Sequence, residues 1–367
     1  MSVKKILCVV GTRPEAIKMA PVILALKQQR WADVRVVATA QHRGMLDQVL
    51  AFFGIEPDID LDVMRPNQAL ATLTGQLLLK LDVVLLEERP DAVLVQGDTT
   101  TVMACALACF YRRIPVGHIE AGLRTWDLQH PFPEEANRII TSKLVRWHFA
   151  PTQSARQNLL KEDVASVDVF VTGNTVIDAL LTTAASEVEI GLDLDPSKRL
   201  VLVTAHRREH FGAPFLDICR ALRTLAENNP EVQFLYPVHP NPKIQDVAQA
   251  CLAGMPNFRL CAPLGYAAFI AAMKAAYFIL TDSGGVQEEA PALGKPVLVM
   301  RDETERPEAV EQGSVKLVGA NYERIIELAQ RLLDDESAYR GMVRGVSPYG
   351  DGQAAGRIVK VLHEHFS

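Results

Sequence analysis

A chain of 367 residues, 49% hydrophobic and 22% charged, describes a soluble globular protein too long for one ordinary core, so two domains are expected. A net charge of -6 and a pI of 5.9 fit the cytoplasm and lack the basic balance of a nucleic-acid binder. No apolar run approaches the roughly 20 residues that span a bilayer.

The opening "MSVKKILCVVGTRPE" has two lysines and a short apolar stretch, then Arg13 and Glu15 at once, with no small-residue cleavage site. It reads as a first strand and not as a signal peptide. From there, short apolar runs alternate with amphipathic stretches, the pattern of parallel sheets with crossover helices. Strands are expected at 5–10, 34–39, 92–96, 114–118, 146–150 and 168–172, with helices near 15–29, 42–53, 68–88, 100–112, 132–143 and 153–161. The polar segment "SEVEIGLDLDPSKR", 186–199, separates this series from a second. There, strands are expected at 200–204, 233–238, 257–261, 276–281, 296–300 and 314–318. Helices follow near 213–228, 242–252, 265–274, 284–292, 305–312, 322–334 and 336–344, before a last amphipathic helix in the tail. "LVLVTAHRRE" restarts the second series as "ILCVVGTRPE" starts the first: strand, short turn, basic residue, helix. The six cysteines form no C-x-x-C and read as buried thiols, not as metal ligands or a disulfide framework.

Polar residues gather where the apolar runs end. After 92–96, "QGDTTT" places Asp98 at a loop-to-helix junction. After 114–118, "HIEAGLRT" brings His118, Glu120 and Arg124, and "HPFPEEANR" supplies Glu134, Glu135 and Arg138 at a helix start. One strand-end carboxylate is most often a helix cap, and Asp98 alone would read so. Acids from successive crossovers of one sheet weigh more, because open α/β sheets bind ligands at that rim. Crowded carboxylates have pKa values pushed apart, which suits one as acid and another as base.

The second half offers different chemistry. In "LTDSGGVQEEAPALG" a strand delivers Asp282, Ser283, Gly284 and Gly285, and a helix begins at once. Ser283 can cap, the glycines permit close approach, and the free N–H groups favour an anion. Glu289, one turn on, is placed for a sugar diol; the plainer reading is a capped helix with packing glycines. "TAHRREHFG" adds His206, Arg207 and Arg208, and "PVHPNP" holds His239 in a rigid strand exit. Either could be a solvated turn. "GTRPEAIK" has a single glycine where a dinucleotide site would show G-x-G-x-x-G, so NAD is not expected. Arg13 would bring a forked positive charge to a diphosphate, with Lys18 one turn later. Together these features describe a nucleotide-diphosphate ligand gripped mainly by the second domain, its reacting part among acids of the first.

The stretches "GTRPEAIKMAP", "QHRGMLDQVL", "GDTTT", "GHIEAGLRTWD", "PFPEEANR", "VTGNTVIDAL", "TAHRRE", "LTDSGGVQEEAPALGKPVLVMRDETERPEAV" and "SPYGDGQA" resemble, in order, non-hydrolysing UDP-N-acetylglucosamine 2-epimerase. The resemblance implies an α/β fold of two doubly wound Rossmann-like domains facing a central cleft, the GT-B type. It places an acid/base domain at 1–172 and a UDP-binding domain at 173–351, with helix 352–367 returning to the first. It also implies a cytoplasmic homodimer that needs neither NAD nor metal, with no nucleic-acid or membrane partner. The implied reaction is reversible C2 epimerisation of UDP-N-acetylglucosamine to UDP-N-acetylmannosamine, supplying surface polysaccharide. Its route would be elimination of UDP to a 2-acetamidoglucal and re-addition. Carried over by motif, Arg13, His206, Ser283, Gly284, Gly285 and Glu289 would hold UDP. Lys18, Asp98, Glu120, Glu134, Arg138 and His206 would line the reacting sugar. Cations and N–H donors stabilise a departing diphosphate, and removal of the C2 proton needs a carboxylate, here Asp98. Glu120 and Glu134 would stabilise the oxocarbenium-like centre or return the proton.

Relatives activated by a second substrate molecule carry a glutamine where Gly44 stands and an arginine where Asn67 stands. Gln41, His42, Gln68, Arg207 and His239 keep that pattern, so a weakened activator site is expected. The competing readings are a GT-B glycosyltransferase, a hydrolysing epimerase and a non-catalytic nucleotide-sugar sensor.

Overall fold

The structure is a computed structural model, described over residues 2–39, 43–65, 68–207, 210–304, 306–343 and 347–367. The chain divides into two compact units, Met1–Ala179 with Tyr349–Ser367, and Leu180–Pro348.

In chain order the first series is β1 (Lys4–Val10), α1 (Arg13–Lys27), β2 (Ala32–Ala38), α2 (Arg43–Phe52), β3 (Ile59–Asp60), α3 (Leu70–Glu88), β4 (Ala92–Gln96) and α4 (Thr100–Arg112). Next come β5 (Val116–Ile119), α5 (Glu134–Leu144), β6 (Trp147–Ala150), α6 (Gln153–Lys161), β7 (Val169–Val171) and α7 (Thr175–Ala185). The strands pair in parallel in the order β3-β2-β1-β4-β5-β6-β7. Helices on the faces of a parallel sheet bury both sides of its strands, and β4, β5 and β6 are buried along their whole length.

The second unit contains β8 (Arg199–Thr204), α8 (Ala213–Asn228), β9 (Val232–Pro237), α9 (Pro242–Leu252), β10 (Phe258–Cys261), α10 (Tyr266–Ala275) and β11 (Ala276–Thr281). It continues through α11 (Gly284–Ala292), β12 (Val297–Val299), α12 (Pro307–Glu311), β13 (Val315–Leu317), α13 (Tyr322–Asp334) and α14 (Glu336–Met342). Its parallel order is β10-β9-β8-β11-β12-β13. In each sheet the chain builds outward from its first strand, then crosses back to start on the other side. The strand order therefore reverses between β1 and β4 in one unit, and between β8 and β11 in the other. Such a switch point is where loops splay apart and leave room for a ligand.

Two elements were not read from the sequence. β3 is two residues long, too short for any alternation. α7 is buried without a break from Asn174 to Leu180, so it shows no apolar stripe against a polar one. The compact units divide inside this helix, beyond the 172/173 boundary, and segment 186–199 lies within the second unit.

The last helix, α15 (Ala354–Phe366), belongs to the first unit. Asn174 N donates to Tyr349 O at 2.6 Å, and the Asp178 carboxylate accepts from Ala354 N and Ala355 N at 3.2 and 2.9 Å. A carboxylate receiving two N–H groups at a helix start is an N-terminal cap. Trp31 meets His363 edge-on at 5.2 Å, and Trp147 meets His365 at 4.8 Å. All six cysteines are free thiols, four of them buried. No described helix is long and apolar enough to cross a membrane.

Candidate active site

The turn after β1 is built around a close approach. A Cβ on Gly11 would meet Thr101 Oγ1 at 2.6 Å and Thr39 Oγ1 at 2.7 Å, so only glycine fits. The packing behind the turn demands it, without any ligand. Arg13, at the start of α1, is exposed and makes no ion pair among the described residues. Lys18, one turn further, points its Nζ to Glu120 Oε1.

Glu120 follows β5 in a left-handed conformation (φ +66°) that a non-glycine residue rarely adopts, and it is buried. Besides Lys18 it accepts from Gln96 Nε2 at 2.5 Å and from Asn174 Nδ2 at 2.9 Å. Three donors from β4, α1 and the loop before α7 thus fix one carboxylate. Asp98 lies one strand away, after β4. Its Oδ2 receives Arg138 Nε at 3.0 Å and Nη2 at 2.8 Å, and its backbone carbonyl receives Asn137 Nδ2 at 2.9 Å. His118 Nε2 donates to Gly97 O at 2.7 Å, steadying the same turn from β5. Burial holds its pKa down at about 4, so the ring is neutral there.

The two neighbouring glutamates of α5 have opposite fates. Glu135 is fully buried and accepts Arg138 Nη1 at 2.8 Å, with Thr125 N and Trp126 N each at 3.0 Å. It is scaffold, orienting the arginine that faces Asp98. Glu134 is half-buried and makes no hydrogen bond among the described residues, so its carboxylate remains available. Arg124, grouped with these acids from sequence, forks onto Glu162 at 2.6 and 2.8 Å and onto Ser142 Oγ at 2.6 Å. Its side chain is wholly buried, and it is structural.

Sequence reasoning passed over Glu15. This residue is 2% exposed, and Oε2 accepts Gly11 N at 2.5 Å and Thr12 N at 3.1 Å. Oε1 accepts Thr99 Oγ1 at 2.5 Å. Burial, helped by the charge of Asp98, pushes its pKa up to about 7 against the pull of these hydrogen bonds. The signal that finds it is Thr12-Arg13-Pro14-Glu15, the T-x-x-E spacing of a capping box.

The second unit's switch point is organised by Asp282, after β11. Its fully buried Oδ2 accepts His206 N at 2.7 Å and Arg207 N at 2.8 Å from the turn after β8. His206 Nδ1 and His210 Nδ1 each stand 3.4 Å from this carboxylate. Burial alone would raise the Asp282 pKa; His210, His206 and the two N–H groups together hold it below the ordinary value. Burial pulls His206 down despite Asp282. The His206 ring stacks on His239 with centroids 5.6 Å apart and planes 9° from parallel. His239 Nδ1 accepts Asn241 N at 3.2 Å, which leaves its other nitrogen to carry the proton.

At the start of α11 the Ser283 side chain makes no capping bond, and Ser283 N donates to Thr281 Oγ1 at 2.9 Å. The capping expected of Ser283 is therefore not what shapes this turn. Gly284 is glycine for a neighbour's sake: a Cβ would come within 2.7 Å of Arg306 Nη1, an arginine paired with buried Glu288. Gly285 is the open position, exposed, with only Glu289 Oε2 nearby at 3.8 Å. The charge of Glu289 and burial both raise the Tyr266 pKa, burial most. Tyr266 thus joins this corner, unforeseen from sequence.

Of the expected activator residues, Gln41 and His42 lie outside the described residues, as does Asn67. Gln68 Nε2 bonds Gln76 Oε1 at 2.7 Å. Among the described residues, no heavy atom lies within 4 Å of a Cβ built on Gly44. No group of three His, Cys, Asp or Glu among the described residues could hold a metal ion.

The fold that carries these residues is shared with known proteins. A family profile described as UDP-N-acetylglucosamine 2-epimerase matches residues 24–363. The UDP-N-acetylglucosamine 2-epimerase of Yersinia pestis is 54% identical over 98% of this chain and 99% of its own. A crystal structure of the Neisseria meningitidis UDP-GlcNAc 2-epimerase bound to UDP-GlcNAc matches with a TM-score of 0.90 and 48% identity, covering 98% of this chain and 100% of that one. The Methanocaldococcus jannaschii enzyme in complex with UDP-GlcNAc and UDP matches at 0.82 and 34% identity, over 98% and 99% of the two chains. These neighbours share its two parallel sheets with flanking helices, a GT-B-like fold. The chain is an isomerase and belongs to the non-hydrolysing UDP-N-acetylglucosamine 2-epimerase family.

Proposed function

We propose that the chain interconverts UDP-N-acetylglucosamine and UDP-N-acetylmannosamine by eliminating UDP to a 2-acetamidoglucal and adding it back on the other face. The observation that carries this reading is the pair of cation-steered carboxylates at adjacent strand ends, Asp98 with Arg138 and Glu120 with Lys18. Asp98 removes the C2 proton, and Glu134, the unengaged acid of α5, returns one to the opposite face or stabilises the oxocarbenium-like centre with Glu120. Arg13, His206 and the amides at Gly284 and Gly285 steady the departing diphosphate, and Glu289 receives the ribose hydroxyls. Neither NAD nor a metal takes part. The product leaves in the cytoplasm as a precursor for surface polysaccharide.

Proton NMR of UDP-N-acetylglucosamine with the enzyme in deuterated water and EDTA tests this in one tube. The manno epimer should accumulate with deuterium at C2 and no free sugar. Free N-acetylmannosamine would mean a hydrolysing epimerase, and an unchanged substrate would mean a transferase awaiting its acceptor or a binding protein.

The homodimer has a surface to rest on. Leu79, Val83 and Leu86 stand outward from α3 at helical spacing, 74%, 51% and 52% exposed, beside Phe110 and Tyr111 of α4. Arg112 forks onto Asp82, both bonds 2.6 Å, and holds the two helices together there. An apolar patch of this kind on a soluble unit marks an interface. Light scattering after gel filtration should give twice 40.4 kDa for the wild type and a single chain mass for the doubly substituted Leu79→Arg, Val83→Arg protein. A wild-type monomer would refute the assignment.

A further inference from the structure

We infer that Glu15 is a positioning residue: it straps the turn that carries Arg13 to the turn that carries Asp98, and the proposed chemistry depends on that strap. The inference rests on the epimerase reading but concerns a residue which that reading leaves idle.

The geometry is specific. Oε2 of Glu15 takes the N–H groups of Gly11 and Thr12, the residues just before Arg13. Oε1 takes the hydroxyl of Thr99, the residue just after Asp98. Thr99 Oγ1 in turn accepts Val102 N at 3.4 Å, which leaves its own hydrogen for Glu15. The bonds therefore run one way, from the first turn of α4 through Thr99 into the carboxylate, and from the β1 turn into its other oxygen. Neither Arg13 nor Asp98 is bonded to Glu15, so it acts through them by fixing their backbones. The second unit has a counterpart: Asp282, after β11, takes two N–H groups from the turn after β8. Each switch point is thus tied by one buried carboxylate. Threonine pairs run alongside, Thr39 with Thr101 at 3.2 Å and Thr204 with Thr281 at 2.5 Å. A displacement of about 1 Å at a reacting group costs on the order of 100-fold in rate, so a tie of this kind is felt in turnover.

The test uses full-length Glu15→Gln, Thr99→Val and Thr99→Ser proteins, each checked for folding by circular dichroism. Thr99→Val cuts the Asp98 side of the strap together with the Thr99 cap on Val102 N, so it is read beside Glu15→Gln, which keeps that cap: kcat should fall roughly 10- to 100-fold with KM nearly kept. Thr99→Ser keeps the hydroxyl and should restore kcat. Glu15→Gln reaches both turns, so kcat should fall and KM for the UDP-sugar should rise. A purely structural role would lower the melting temperature and leave kcat per folded molecule unchanged, and that result overturns the inference. If Glu15→Gln does not fold, equal kcat values for Thr99→Val and Thr99→Ser overturn it instead. Amide hydrogen exchange reads the strap whatever wild type catalyses. Glu15→Gln, which leaves the Thr99 cap on Val102 N in place, should speed exchange over residues 97–102, and unchanged exchange there also refutes the strap. Failure of wild type to epimerise UDP-N-acetylglucosamine would sink only the functional reading.

Discussion

Asp98→Asn should abolish deuterium incorporation at C2 of UDP-N-acetylglucosamine while UDP still binds close to wild-type strength. Asparagine has the shape of aspartate but cannot take a proton, and a positioned general base contributes about 10²- to 10⁴-fold in rate. The fold around it should persist. Asn137 holds Asp98 by its backbone carbonyl, which the substitution leaves in place, and Arg138 keeps buried Glu135 as a second anchor. UDP is assigned to residues of the other unit and to Arg13, none bonded to Asp98. Isothermal titration with UDP and NMR of the exchange reaction make the comparison. Exchange that survives would remove Asp98 as first base and direct the same experiment to Glu134, which makes no hydrogen bond among the described residues.

Asp282→Ala carries the largest expected loss of stability. It leaves the N–H groups of His206 and Arg207 without their acceptor, at a position where Asp282 is fully buried. Leaving buried donors without their acceptor costs about 1 to 3 kcal/mol each. Asp282→Asn, whose amide oxygen still accepts N–H groups, should cost clearly less. The pH dependence has a definite sign. The Asp282 pKa lies below its ordinary 3.8, so its stabilisation is present above that pH and is lost as pH falls through the folded value. The His206 pKa lies below its ordinary 6.5, so protons bind the unfolded chain better there and acid destabilises the fold from about that pH downward. Glu15 runs the other way. Its value is raised from 4.5 to about 7, so its contribution weakens as pH rises through that window. Urea melts of wild type and the two Asp282 variants between pH 3 and 8 separate these slopes. An Asp282→Ala protein melting within about 1 kcal/mol of wild type at pH 7 would show that the carboxylate organises nothing.

Much of this layout was legible because local patterns carry it. The apolar run 92–96 and helix 100–112 read to the residue, since Pro90 and Gly97 bracket the strand and Arg113 ends the helix in a left-handed turn. Asp98 and Glu120 were singled out because strand ends of a parallel sheet are where such folds bind ligands, and the structure places both at adjacent strand ends. What failed to show was decided by distant packing. Glu134 and Glu135 are identical side chains one residue apart, and only the neighbours of α5 decide which is buried. Arg124 looked like a site residue because its partner Glu162 lies 38 positions away, with no local spacing to link them. Glu15 passed as a helix former since its Thr99 contact spans 84 positions. α7 was hidden because its first half is buried on all sides, its polar residues included, so no exposed face marks it.

The two straps have a consequence for how anions are met. Gly11, Thr12, His206 and Arg207 each give their backbone N–H to an internal carboxylate, so neither opening turn can offer the nest of amides that a glycine-rich phosphate loop presents. In the proposed reading, Arg13 then meets the diphosphate with its side chain where a dinucleotide fold would offer glycine amides. Whole charges on flexible stems are screened by salt more readily than enclosed dipoles. The hold of these turns on a nucleotide should therefore slacken as ionic strength rises.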